Sequence, residues 1–335
     1  MDIAFTKKPP HLVFSCWPDL EPMAKFLPLE RFSGQSAEPE RRDPSGKPDR
    51  SRVIKQGLFY YDYGPQNNSG KPVLILIHGL GDEADTWRYM IKPLGDAGFR
   101  VLALDLPGFG RSPTNKRSGI GHHRDAVLKL AEAAAENPDQ GFVLIGSSLG
   151  AAVAEAAALA SSRVKALILI DGCIPVESSG SSQIILSALP FAGPKWYRSF
   201  RTNPERAWRS LFSYYGDIQS LSEKDKDFLR ERVMDRVCSS SQERAYFSTL
   251  RSMIFQSLRI PYYKRIGSWP GEISLIWGEK DEVMPIDVTK SFIKLRGGIS
   301  TELTIIPGAG HLPHQEKPAE TAELILARLK KLKFW

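Results

Sequence analysis

The chain has 335 residues, 42% hydrophobic and 25% charged, a composition ordinary for a globular protein and long enough to bury one large core. The formal net charge of +7 arises between residues 195 and 265, where 15 Lys or Arg are interleaved with 8 Asp or Glu; that spacing suits solvated helix faces, and no RNP, KH or zinc-finger pattern points to nucleic acid. No apolar run reaches the length of a membrane span, the N-terminus lacks a signal-peptide pattern, and Cys16, Cys173 and Cys238 offer neither a disulfide framework nor a zinc site, which together lead us to expect a cytoplasmic protein.

Eight of the 24 prolines fall in the first 50 residues, which end in the polar run SGQSAEPERRDPSGKPDR. Residues 1–51 therefore read as a proline-rich arm and linker. Trp17, Leu20, Met23, Phe26, Leu27, Leu29 and Phe32 are too apolar for free solution, so the arm is expected to pack on the body or dock on a partner. Pro18, Pro22 and Pro28 forbid a long helix there.

From residue 52 a rhythm begins. LFYYDYG (58–64) reads as a strand near a sheet edge. VLILIHG (73–79), VLALDLPG (101–108), FVLIGSS (142–148), ALILIDG (166–172), ISLIWGEKD (273–281) and ELTIIPGAGH (302–311) are short apolar runs ending in Gly, Asp, His or Ser. Helix-like stretches such as DAVLKLAEAAAEN (125–137) and AAVAEAAALA (151–160) separate the first four. Continuous apolar strands alternating with helices predict an α/β fold with a mostly parallel sheet covered on both faces. Ligands of such sheets sit beyond the carboxyl ends of the strands, where these polar residues gather. The rhythm breaks between Cys173 and Trp269. NPERAWRSLFSYYG (203–216), SEKDKDFLRERVMDRV (222–237) and SQERAYFSTLRSMIFQSL (241–258) read as helices there, with Ser222 and Asp225 as a capping box. The expected organisation is a core at 52–172 and 270–335, with a helical cap at 173–269.

The chemistry gathers at strand ends. A nucleophile raised on a tight strand-to-helix turn needs tiny residues two before and two after it. Centring on Ser148 places Gly146 and Gly150 there; centring on Ser147 places Ile145 and Leu149, which would clash. Ser148 is the candidate nucleophile. A serine hydroxyl needs a base, and the base an orienting acid. His311, in a glycine-rich loop, and Asp281, ending ISLIWGEKD, fill those roles, with Asp171 as a rival acid. The turn HGLG (78–81) can aim the Leu80 N–H at an oxyanion, with Leu149 N–H as the second donor. His78 is expected to organise that turn, His314 to brace the histidine loop at the pocket rim, and His122 and His123 to form a surface or helix-start pair. Asp105 and Gly108 should shape the DLPGFG loop. The cap aromatics Trp196, Trp208, Tyr214 and Tyr215 are candidates for lining the substrate pocket.

HGLGD (78–82), DLPGFGRS (105–112), GSSLGA (146–151), GEKDEVMP (278–285) and GAGHLPHQEKP (308–318) occur in the order of the α/β-hydrolase superfamily. Over residues 52–335 the chain resembles its capped single-domain members with an HG oxyanion turn. The resemblance implies a mostly parallel eight-stranded sheet, a helical cap inserted after strand six, and no cofactor or metal. Dehalogenases and epoxide hydrolases of this fold carry aspartate at the elbow, so Ser148 argues against both reactions. The familiar histidine before the serine is Ser147 here.

These readings predict a serine esterase acting on a small to medium, partly apolar carboxylic ester through an acyl-enzyme. Cleavage of a carbon–carbon bond beside a ketone is the alternative within enzymes, with thioesterase, lactonase or amidase activity beyond it. A ligand receptor that retains a hydrolase triad is the non-enzyme alternative.

Overall fold

The computed structural model describes residues 16–28, 57–67, 70–113, 118–172, 192–257 and 260–334. Cys173, the polar run at 33–50, and Leu29 and Phe32 lie outside them. Eight strands form one sheet in the order β1-β2-β4-β3-β5-β6-β7-β8. They are β1 (Ala24–Pro28), β2 (Gly57–Tyr63), β3 (Val73–Ile77), β4 (Val101–Leu104), β5 (Phe142–Ser147), β6 (Val164–Ile170), β7 (Glu272–Gly278) and β8 (Thr301–Ile306). β2 pairs antiparallel with both β1 and β4, while β3 to β8 are joined by parallel pairings. The mostly parallel eight-stranded sheet and the helical region after β6 are as expected.

The apolar runs are buried from both sides. In β3, Val73, Ile75 and Ile77 join one core with Val127, Leu130, Ala154 and Phe292, whereas Leu74 and Leu76 join the opposite core with Trp87, Leu94, Ile325 and Leu329. Alternate side chains of one strand thus feed two cores, which is why the run has no polar member. Helices α2 (Ile120–Ala134), α3 (Leu149–Ala158) and α9 (Asp287–Arg296) cover the first face; α1 (Ile91–Asp96) and α10 (Pro318–Lys331) cover the second.

The sheet edge is a finding that the proline spacing hides. Residues 24–28 pair with β2 from Ala24↔Tyr61 to Pro28↔Gly57, so part of the apolar arm is a strand of the sheet. Pro22 and Pro28 bracket it, and an edge strand tolerates proline because a missing N–H there need not interrupt the ladder. Just before it, the Trp17 N–H donates to Asp85 (2.7 Å), and the Trp17 ring meets Phe228 edge-on at 4.9 Å. The arm therefore touches both the sheet body and the insertion.

That insertion contains α4 (Ala192–Arg198), α5 (Pro204–Arg209), α6 (Glu223–Cys238), α7 (Ser240–Ser257) and α8 (Ile260–Gly267). Asn203 caps α5 by accepting from Arg206 N at 2.9 Å, and Ser222 caps α6 by accepting from Asp225 N at 3.1 Å. Asp225 also receives the Arg88 guanidinium at 2.7 Å, both side chains being buried. Removing one member of such a pair strands the other without solvent. Arg88→Ala is expected to destabilise the protein by about 3–5 kcal/mol, read as a lowered denaturation midpoint.

α3 shows how tightly the insertion is seated. Every residue from Leu149 to Ala158 is buried, including Glu155, which accepts from the Tyr262 hydroxyl at 2.9 Å. Burial pushes the Glu155 carboxyl up to about 8. The folded state thus retains a proton that the unfolded chain loses in the ordinary carboxylate range. Its contribution is fully present below that range and is lost as pH rises towards 8, costing on the order of a few kcal/mol. Thermal melts from pH 5 to pH 8 should show wild type losing stability more steeply than Glu155→Gln.

Candidate active site

Ser148 sits between β5 and α3 at φ 53 and ψ −116, one of three described non-glycine residues with positive φ. Its neighbours leave no room for side chains. A Cβ on Gly146 would lie 2.3 Å from the Gly150 carbonyl oxygen, and one on Gly150 would lie 2.0 Å from that of Ile77. Ser147, one residue earlier, is fully buried, and its Oγ has no hydrogen-bond partner among the described residues.

Ser148 and His311 line the same cavity, whose volume is about 130 Å³. His311 Nδ1 lies 2.8 Å from Asp281 Oδ2, with both side chains almost wholly buried. The other Asp281 oxygen accepts from the Val283 and Met284 N–H groups at 2.8 and 2.9 Å. Those two donors fix the carboxylate, and the carboxylate fixes the ring: Nδ1 carries the proton and Nε2 is the lone-pair nitrogen. His311 Nε2 is buried and has no hydrogen-bond partner among the described residues.

The loop carrying His311 is stitched to the insertion. His311 N–H donates to Tyr214 O at 2.9 Å, and the two rings lie 5.8 Å apart. Glu316 accepts from Gly310 N–H at 2.7 Å with one oxygen and from Gly216 N–H at 2.8 Å with the other. Packing there is backbone on backbone, since a Cβ on Gly310 would meet the Gly216 nitrogen at 2.4 Å. Glu316→Ala removes both acceptors and is expected to lower stability by about 2–3 kcal/mol, measured by denaturant titration.

The HGLG turn forms another wall. Asp82 N–H closes it on Gly79 O at 3.2 Å. His78 is buried behind it: Nε2 accepts from Leu106 N–H at 2.9 Å, and Nδ1 lies 2.7 Å from Gly79 O. Burial holds this imidazole below its ordinary value, so it is neutral and organises the turn. Arg236, from α6, donates to Gly81 O. As the first residue of α3, Leu149 has an N–H with no intrahelical acceptor, and Leu80 lines the cavity beside Ser148.

The remaining sequence candidates separate. Trp196, Tyr214 and Tyr215 line the cavity. Trp208 does not; it packs inside the insertion with Tyr215, Ile218, Leu221 and Leu229, beneath the Arg230 guanidinium. His314 is fully buried and stacks on Trp87 at 4.5 Å, with Nε2 2.9 Å from the Thr86 hydroxyl. It braces the loop and lies away from the rim, and burial pushes its ring down to about 3. His122 and His123 do fall at the start of α2, but His123 is buried, its Nε2 2.9 Å from the Thr249 hydroxyl of α7. Asp105 shapes its loop by accepting from Arg111 N–H (2.7 Å) and from Ala84 N–H (2.7 Å). Asp171 is buried beside Asp281 but is not the carboxylate on His311 Nδ1. Tyr197, Phe200, Tyr246 and Arg236 also line the cavity. No local pattern singles them out, because α4, the turn after it, α6 and α7 bring them together only on folding.

The family model described as "Alpha/beta hydrolase family" matches residues 74–324. The chain belongs to this family. A hydrolase of Dechloromonas aromatica (strain RCB), named for 2-hydroxy-6-oxononadienedioate and 2-hydroxy-6-oxononatrienedioate, is 28% identical over 285 residues, covering 82% of this chain and 92% of that protein. Among solved structures, a bacterial membrane phospholipase A superposes with a TM-score of 0.62 at 26% identity, covering 82% of this chain and 83% of that one. A thermophilic esterase from Thermogutta terrifontis gives a TM-score of 0.64 at 19% identity, covering 82% and 94%, a likeness of fold. Among the described residues of this family member, no helix is long and apolar enough to cross a membrane.

Proposed function

We propose that the protein hydrolyses small, partly apolar carboxylic esters through an acyl-enzyme on Ser148. The observation carrying this reading is the buried Asp281–His311 pair: His311 lines the same cavity as the elbow serine, and its Nε2 has no hydrogen-bond partner among the described residues. His311 Nε2 takes the proton as Ser148 Oγ attacks the carbonyl carbon. Asp281 holds the tautomer and stabilises the imidazolium, and the Leu80 and Leu149 N–H groups receive the oxyanion. His311 then protonates the departing alcohol, and a water repeats the sequence on the acyl-enzyme.

The size and lining of the cavity support a small substrate. About 130 Å³ bounded by Tyr197, Phe200, Tyr214 and Tyr246 matches a short acyl chain better than a long one. With p-nitrophenyl esters, kcat/KM is expected to fall about tenfold or more from butanoate to decanoate. A rise along that series would contradict the reading. Repeated product release separates an enzyme from a receptor that retains the three residues.

A second reading rests on the Dechloromonas relative and on Arg236. The compounds in that relative's name are unsaturated oxo-dicarboxylates without an ester, so their hydrolysis breaks a carbon–carbon bond. Arg236 brings a cation to the cavity wall that could meet a substrate carboxylate, although Asp82 lines the same wall. Turnover of a 2-hydroxy-6-oxo-dienedioate, with no burst or turnover on short esters, would favour this reading over the first.

A further inference from the structure

Asp171 is the titratable group beside the site that the proposed chemistry leaves unused. It follows β6 at φ 43, a backbone conformation that L-residues seldom adopt, and it is fully buried. Its Oδ1 accepts from Gly278 N–H at 2.9 Å, tying it to the end of the strand that delivers Asp281. Its Oδ2 has no hydrogen-bond donor among the described residues. One side-chain ligand atom from each of Asp171, Asp281 and His311 lies within 4.8 Å of the other two.

Two buried carboxyl groups this close do not both ionise without a cation between them. The surrounding donors decide which keeps the charge. Asp281 receives Val283 N–H, Met284 N–H and His311 Nδ1–H, three donors on two oxygens. Asp171 receives one. The charged groups that act on Asp171 are acidic, Asp281 and Glu316, while burial is the largest influence holding its carboxyl well above the ordinary range. His311 is faced by Asp281, by the un-ionised Tyr214 and by the neutral His314.

We propose that Asp171 stands as a neutral carboxylic acid whose Oδ2–H donates to the Asp281 carboxylate, making it a positioning residue for the Asp281–His311 pair. The inference rests on the hydrolase reading for its effect on rate, but not for its protonation state. Donation pins the Asp281 carboxylate and spreads part of its charge, so the imidazolium at His311 is stabilised less than it would be by a bare carboxylate. Asn at 171 keeps a donor, an acceptor for Gly278 N–H and a neutral side chain. Ala keeps none of the three.

The direct test is difference infrared spectroscopy at neutral pH, wild type minus Asp171→Asn, which needs no turnover. A carboxylic-acid C=O band lost in the variant is the expected result; loss of a carboxylate band instead would overturn the proposal. The kinetic test compares Asp171→Asn with Asp171→Ala on a short ester. Asn should keep kcat within about threefold and leave the acid limb of the pH–rate profile unmoved. Ala should lower kcat about 10–100-fold with KM unchanged and shift the acid limb to higher pH, since an unshared Asp281 charge holds the imidazolium more strongly. A shift to lower pH in Asn would mean that a negative charge had been removed, and wild-type behaviour in Ala would mean that no bond had been lost. Either result would overturn the proposal. If wild type shows the acid band but no ester turnover, the hydrolase reading fails and the hydrogen-bond assignment stands.

Discussion

Ser148→Ala is expected to lower kcat on a short ester by about 10⁴-fold or more, with KM little changed, while Ser147→Ala retains most of the wild-type rate. The two serines are adjacent but occupy different environments. Ser148 stands at the cavity wall on a backbone that only the flanking glycines permit, whereas Ser147 is the buried last residue of β5. An adjacent hydroxyl therefore cannot substitute without rebuilding the elbow. On the proposal that Ser148 and His311 act as one unit, combining Ser148→Ala with His311→Ala should cost little more than either alone. Steady-state kinetics on the two single variants and the double variant check this. Comparable rates for Ser148→Ala and wild type would remove the nucleophile from the account.

Asp281→Asn carries the second large effect, a fall of about 10⁴-fold in kcat near neutral pH. The carboxylate is surrounded by donors: the Val283 and Met284 N–H groups on one oxygen, and His311 Nδ1–H on the other. An amide has only one acceptor oxygen for these two positions. Its NH₂ must point either at the two backbone N–H groups or at the ring. The cheaper solution turns the amide nitrogen towards the ring and forces His311 to carry its proton on Nε2. That nitrogen then has no lone pair for the Ser148 proton. The fold should survive, so circular dichroism and the melting midpoint should change far less than the rate. Asp281→Asn with near-wild-type activity would transfer the orienting role to another carboxylate, and among the described residues Asp171 is in reach.

What can be read from the sequence is local in pattern. VLILI and FVLIGS announce central strands because both of their faces are buried, and the Gly146–Ser148–Gly150 spacing selects one serine because both glycines stand within two residues of it, although the demand for glycine at 150 comes from the distant Ile77 carbonyl. Asp281 and His311 stand out as candidates because each follows the end of a strand. The edge strand Ala24–Pro28 was hidden by its bracketing prolines, and its pairing with Tyr61 and Tyr60 is a long-range event with no local sign. Trp208 and Tyr214 looked equivalent in sequence, yet one fills the insertion's own core and the other lines the cavity, a difference set by how α5, α6 and the following turns pack. Arg236 was one basic residue among many until α6 placed it against the HGLG turn. Asp171 read as a rival to Asp281, and only the donor count around each carboxyl separates them.

The most direct test of the central claim is peptide-mapped mass spectrometry of the protein after reaction with a fluorophosphonate. One covalent adduct per chain is expected, located on Ser148 and formed far more slowly in His311→Ala. An adduct on Ser147, or no adduct in wild type under conditions that label a known serine hydrolase, would contradict it.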